Sequence, residues 1–486
     1  MNRLLLSSNE VISRAISFSL IGILVVSIIS FFICNIVMML SYPEIFSYVE
    51  WIWLIPAIIL VWINMRVGKN LIVNNVCHIS PNVVGFLFCN MSFITVLLTY
   101  DTKPSSDWQF VWNAANEMVN GTFTDGLERG AYMHEIPYQL GFAFVESLVI
   151  RLFGSSYWIF KLFNLLLMNF ITWSTYHFSL RKASLDVARF AYVSSCMFLC
   201  YLMTVGQFTN HQLGFVLLYL SLWLFEKNMF LTCCCAGISA ACLNFVRPMG
   251  IMIVASVLFY TIYILLNDLN KRKAIWNFIG FYLCYYLFLL LFDLLLLGMN
   301  YTDDYVSRST RNMYHKISYT TYDSKIDGRI ADYNYDYDAY NKAYKEELVD
   351  MVINHPKEIA VNVTNKMIRY LGMLDYLFEM TYDHDETVWK KYPIKAFYSI
   401  QWFQYVIFLT IALYGFIEYR KSNRIDLYQI FFVGNTFVYF FVEAFSSYRF
   451  VNYFYILFLV GFGMNELYKK RFRGLGDVFE IIHLKL

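Results

Sequence analysis

The chain has 486 residues, of which 58% are hydrophobic, 20% aromatic and only 15% charged. That composition excludes a set of ordinary soluble domains and reads as an all-α polytopic membrane protein, because a backbone inside lipid must satisfy its own hydrogen bonds. A formal charge of +2 with no basic domain or stripe points away from nucleic acid as a partner.

Apolar runs suited to helices recur along the chain at 16–40, 51–65, 83–100, 157–178, 187–205, 212–226, 229–246, 249–266, 275–298, 398–418, 427–442 and 449–467. They predict a bundle of about twelve transmembrane helices of roughly 20 residues each. The first run is too long for the apolar part of a signal peptide, and no small-residue cleavage site follows it. One further run, Tyr138 to Phe153, carries Glu146 and Arg151 and is ambiguous. If it lies on the membrane surface, nearly every short basic loop falls on one side: Arg66 and Lys69, Arg181 to Arg189, Lys227, Lys271 to Lys273, Arg420 to Arg424, and Lys469 to Arg473. If it crosses, those loops split between the two sides. The positive-inside rule selects the first arrangement, which puts both termini in the cytoplasm.

Four regions follow. Residues 1–82 form an N-terminal transmembrane hairpin, and 83–298 form a transmembrane core whose first outer loop is 101–156. Residues 299–397 form a large extracytoplasmic loop, and 398–486 supply the last helices and a basic cytoplasmic tail. The outer loops are expected to carry interfacial helices, because the stretch from Ser105 to Asn164 turns amphipathic twice. The large loop contains YNYDYDAYNKAY, whose rings can stack on sugars or simply cap the protein in solvent, and Pro356 breaks or starts a helix within it.

Of the ten cysteines, none lies in the loops assigned outside, so no disulfide framework is implied. Cys233, Cys234 and Cys235 are adjacent on a helix and point about 100° apart, so they cannot converge on one ion. The run Asp383-His384-Asp385-Glu386 suits a solvated turn better than a cation site. The reading requires no cofactor and indicates no divalent metal.

Chemistry concentrates at the outer ends of the helices. Asp101 and Asp107 stand where the apolar run ends, and a carboxylate at that boundary can serve as general base for a hydroxyl group. Asp107 also stands where it can cap a helix. A Gly/Pro-bounded turn, Gly130 to Gln139, offers Tyr132, His134 and Gln139 as pocket-lining groups. Lys161, Arg247 and Arg449 occupy outer helix ends, where they can snorkel, pair with Glu146 or Glu443, or hold a phosphate. There is no Walker loop, no dinucleotide fingerprint, no H-E-x-x-H and no G-x-S-x-G. No inner loop is long enough for a nucleotide-sugar domain.

The order Asp107, AANEMVNGTF, Tyr132, Pro137-Tyr-Gln-Leu-Gly141, Leu152-Phe-Gly154 and Lys161-Leu-Phe-Asn164 resembles the first outer loop of the GT-C glycosyltransferases. The branch it is similar to contains the protein O-mannosyltransferases and lipid A aminoarabinose transferases. The resemblance extends to Asn210-His211-Gln212, Val246-Arg247-Pro248, His355-Pro356 before Lys366, and Glu443 followed by Tyr448-Arg449-Phe450. It implies a GT-C-like bundle and a polyprenyl-phosphate sugar donor in the membrane lipid. It also implies a glycan or lipid-linked acceptor, inversion at the anomeric carbon, and an acidic base that Asp107 matches by position. Asn210 and Glu443 join the expected substrate contacts on the same ground. The chain departs from the pattern where Trp108 follows Asp107 in place of a second acid, where Phe450 follows Arg449 in place of Tyr, and in its N-terminal hairpin. The expected activity is transfer to a cell-surface polysaccharide or lipid-linked glycan on the outer face. The rivals are a polymerase or ligase using pyrophosphate-linked glycans, and a lipid or glycan flippase.

Overall fold

A computed structural model describes residues 2–41, 51–73, 81–99, 102–267, 270–309, 330–372, 388–422, 425–442 and 446–483. Every described regular element is helical. In chain order the main helices are α1 (Asn2–Ser41), α2 (Leu54–Val73), α3 (Pro81–Thr99), α4 (Asp107–Asn120), α5 (Tyr132–Glu135), α6 (Leu140–Phe153), α7 (Tyr157–Lys182), α8 (Leu185–Cys196) and α9 (Leu199–Thr204). They continue with α10 (His211–Glu226), α11 (Phe230–Val246), α12 (Gly250–Asn267), α13 (Lys271–Gly298), α14 (Tyr337–Asn354), α15 (Pro356–Gly372), α16 (Val388–Tyr419), α17 (Leu427–Val438) and α18 (Phe450–His483).

Each of the twelve apolar runs falls on helix. By length and composition, five of the described helices can cross a membrane: those containing Val11–Ile33, Gly250–Asn267, Lys271–Gly298, Ser399–Tyr419 and Phe450–Lys470. A sixth span is available if Pro137–Phe153 and Tyr157–Lys182 count together, but the chain bends by 114° between them. Gly154 makes that bend: its φ of +98° is open to glycine and costly for residues bearing a Cβ. The run 187–205 is also broken, at Met197–Phe198. Gln404 of α16 bridges the break, its Oε1 accepting from Leu199 N at 2.9 Å and its Nε2 donating to the Met197 carbonyl at 2.8 Å.

The centre of the bundle is α18. Of its apolar stretch, 83% is buried, against 33% for those of α12 and α13. Backbones approach closely there because the contact residues are small. A Cβ at Gly463 would stand 2.4 Å from the Ile411 carbonyl of α16, and one at Gly461 would stand 2.7 Å from Ala191 of α8. Polar pairs add specificity: Asn64 donates to Ser194 at 3.2 Å, and Asn90 and Asn169 exchange hydrogen bonds at 2.8 Å.

Outside the bundle, Pro356 opens α15 as its first residue, so it starts a helix there. Two tyrosines of the YNYDYDAYNKAY segment, Tyr340 and Tyr344, are buried against each other with ring centroids 4.9 Å apart. Described parts of the 299–397 segment close on the 101–156 segment. Tyr301 packs on Phe123 and Gly126, and the Tyr335 ring covers Gly130.

Candidate active site

The 101–156 segment places its acid at the entry to α4. Asp107 is the first helical residue and is exposed. Ser106, not Asp107, occupies the N-cap position, and it does so at φ 52° and ψ −133°, with no side-chain cap. A non-glycine residue in such a conformation stores on the order of 1–3 kcal/mol, a feature that recurs at functional sites. The carboxylate gains from the helix dipole at this end.

Around Asp107 stand Tyr132 and Gln139. Burial, then the negative charge of Asp107, pushes the Tyr132 phenol above its usual range. The Tyr132 Oη and the Gln139 Oε1 are buried, and the Tyr132 phenol lies within side-chain hydrogen-bonding reach of both Gln139 and Asp107. Phe110, one turn along α4 from Asp107 and half exposed, stacks on the Tyr132 ring with centroids 4.9 Å apart. An exposed carboxylate, a buried phenol and amide beside it, and a flat aromatic pair thus share one spot.

Trp108 leads from this spot to the cations. Its ring lies 6.4 Å from the imidazole of His211, the first residue of α10. Arg247 Nη1 donates to His211 Nδ1 and, at 3.1 Å, to Asn210 Oδ1. A guanidinium has only donors, so this His211 Nδ1 is an acceptor and the ring takes the tautomer with its proton on Nε2. Asn210 is itself fixed, donating to the Val246 carbonyl at 2.7 Å. Arg247 ends α11 in extended backbone, as the residue before Pro248 must avoid helical geometry. Behind it, Gly141 of α6 packs on the Phe245 carbonyl so closely that a Cβ would sit 2.1 Å away. The loop helix and the arginine are therefore held in one frame.

Arg247 is 6% exposed. Its guanidinium sits over the Tyr448 ring, 4.6 Å from the centroid, its Nε has no hydrogen-bond partner, and no carboxylate among the described residues pairs with it. Arg449, one residue beyond Tyr448, is 3% exposed. It donates to the Leu371 carbonyl at 2.7 Å and to Tyr405 Oη at 3.4 Å, and lies over the Tyr405 ring. Tyr370 lies within electrostatic reach of both arginines, and the Tyr439 ring sits between those of Tyr370 and Tyr448, tilted to each, with centroids at 5.3 and 5.4 Å. Two arginines from distant parts of the sequence thus share one cluster of tyrosines.

Lys161 is fully buried in the first turns of α7, with its ammonium 4.8 Å from the Trp158 ring. It reaches the loop through its neighbour Phe160, which packs on Trp112 of α4. His134 is buried, and both ring nitrogens face the 299–397 segment: Nδ1 is 2.9 Å from Tyr337 Oη and Nε2 is 3.5 Å from Asp303. It acts as a clasp between loops. Asp101, Glu443 and the Asp383–Glu386 run lie outside the described residues. Among the described residues no group of three or more His, Cys, Asp or Glu side chains is placed to hold a metal.

Sequence reasoning gave no role to His211, Tyr448, Tyr405 or Tyr370. His211 and Tyr448 stood beside residues already singled out, in Asn210-His211-Gln212 and Tyr448-Arg449-Phe450. No local signal marks Tyr405 or Tyr370 among 39 tyrosines.

No protein-family model, curated protein or solved structure matches the chain.

Proposed function

We propose that the chain is a multi-pass membrane glycosyltransferase that takes a sugar from a polyprenyl-phosphate carrier on the extracytoplasmic face. The acceptor is a cell-surface polysaccharide or a lipid-linked glycan. The observation that carries this reading is Arg247, a buried guanidinium with an unmet Nε and no carboxylate partner among the described residues, joined through His211 and Trp108 to the exposed Asp107. A buried cation without an anion is costly, and a bound phosphate removes that cost.

In this reading Asp107 takes the proton of an acceptor hydroxyl as its oxygen attacks the anomeric carbon opposite the phosphate. The bond from that carbon to the phosphate oxygen breaks, and the electron pair leaves on the polyprenyl phosphate. Arg247 and Arg449 meet the charge that develops there, with Lys161 as a third cation. The anomeric configuration inverts. Tyr132 and Gln139 offer hydrogen bonds to sugar hydroxyls, and the Phe110–Tyr132 stack offers an apolar face.

The topology that goes with this chemistry has about twelve crossings, both termini in the cytoplasm, and α6 at the outer surface. Its support is the one-sided distribution of Lys and Arg and the 114° bend before α7. Purified protein incubated with a panel of polyprenyl-phosphate sugars and glycan acceptors should release polyprenyl phosphate and glycosylated product. Release with none of them would remove the proposal.

The contact of Arg247 with His211 favours a second reading, a polymerase or ligase acting on pyrophosphate-linked glycans. It predicts that His211→Ala abolishes turnover while Asp107→Asn leaves it intact.

A further inference from the structure

At the opposite end of the bundle, α7 and α10 finish side by side. Arg181 and Lys182 of α7 both pair with Glu226 of α10 at 2.8 Å. Lys227 follows Glu226, is exposed, and holds its ammonium 4.6 Å from the Trp223 ring. His177 is fixed between two indoles, stacked on Trp173 at 4.9 Å and edge-on to Trp223 at 5.4 Å, with its Nδ1 bonded to Tyr219 Oη at 2.8 Å. Arg181 and Lys227 both lie within electrostatic reach of that ring, and Lys227 and the ring share the Trp223 indole. Three cations meet one partly buried carboxylate here, and the rim keeps a positive balance. The buried Asp426 also acts on Lys182, but its carboxylate is taken up by the Gln429 backbone and Tyr419.

The surroundings of this rim are apolar and outward-facing. Trp173 is 42% exposed, and beyond Lys227 come Met229, Phe230 and Leu231, at 59%, 53% and 72%. Outward-facing aliphatic and aromatic residues just above a cationic rim are the profile of the lipid boundary, with indoles at the headgroup level. The occupant of such a rim must present negative charge to Arg181 and Lys227 and hydrocarbon to Trp173, Phe230 and Leu231.

We propose that this rim binds the headgroup of an anionic phospholipid of the inner leaflet. The lipid phosphate takes hydrogen bonds from the Arg181 guanidinium and the Lys227 ammonium. The Trp173 and Trp223 rings lie beside the glycerol backbone, and the chains run along the outward faces of α7 and α11. The inference rests on the membrane placement of the bundle and not on sugar transfer.

The test uses the full chain in phosphatidylcholine vesicles carrying brominated phosphatidylglycerol or, in parallel, brominated phosphatidylcholine at the same mole fraction. The emission of Trp173 and Trp223 is isolated as the difference between wild type and Trp173→Phe/Trp223→Phe. The expected result is several-fold stronger quenching by the anionic lipid, falling about fivefold in lipid preference for each cation removed in Lys227→Gln and Arg181→Gln, and weakening with salt. Lys227 is exposed, so Lys227→Gln keeps the fold even if the Arg181 variant does not. Equal quenching by the two lipids, quenching by neither, or a preference that survives Lys227→Gln would each overturn the proposal.

Discussion

The two ends of this bundle treat positive charge in opposite ways. At one end, Arg181 and Lys182 share Glu226, Lys421 and Lys470 share Glu418, and Lys469 pairs with Glu466. These cations are partly exposed and answered by carboxylates, so each pair is worth little and costs little. At the other end, Arg247 is buried on a tyrosine ring with only neutral partners, Asn210 and His211, for its donors. The first arrangement anchors helices at a solvated surface. The second keeps a buried charge with no carboxylate partner among the described residues. A buried cation contributes to stability only when paired, so an unpaired one is better explained by binding than by folding.

This contrast can be broken or sharpened by substitution. The largest effect is expected at Asp107. Asp107→Asn removes a base and should lower turnover by about 10²–10⁴, measured as polyprenyl phosphate released, with the melting temperature unchanged. The parallel Asp101→Asn should be nearly silent; if it is the lethal one, the base has been misassigned by six residues. Next is Arg449→Lys, which keeps the charge but loses the planar guanidinium whose Nη1 donates to Leu371 and Tyr405. Donor use should weaken roughly tenfold, the worth of one charged hydrogen bond, and activity equal to wild type would separate Arg449 from the site. The smallest effect belongs to the other end. Glu226→Gln leaves Arg181 and Lys182 without their carboxylate and should cost about 1 kcal/mol in unfolding measurements, with transfer unaffected. Loss of transfer without loss of stability in that variant would mean that the two ends are not independent.

The helices were legible because hydropathy alone marks them, and each expected apolar run lies on helix. The bend after 138–153 is made at Gly154, whose φ of +98° favours glycine. The break at Met197–Phe198 was not legible, because it is stabilised by Gln404 from two hundred residues away. Five or six described helices meet the length and composition of a span by themselves, so the expected twelve depends on shorter helices helped by their neighbours. At the candidate site, Asp107 and Arg247 stood out as charges in apolar surroundings, and Arg449 as a cation at a helix end. Their partners Tyr448, Tyr405 and Tyr370 did not, since aromatic residues in a membrane bundle look alike until packing sorts them. His134 shows the converse. A lone histidine in a polar turn suggested a pocket, while the structure buries it between Tyr337 and Asp303 as a tie between loops.

The most direct test of the contrast is a thermal unfolding comparison of wild type and Arg247→Met, each with and without polyprenyl phosphate. If Arg247 is held for a phosphate, Arg247→Met is at least as stable as wild type in the absence of lipid phosphate, and adding it raises the melting temperature of wild type alone. If Arg247→Met melts lower without any ligand, or if polyprenyl phosphate stabilises both proteins equally, Arg247 is part of the fold and the account of the site is wrong.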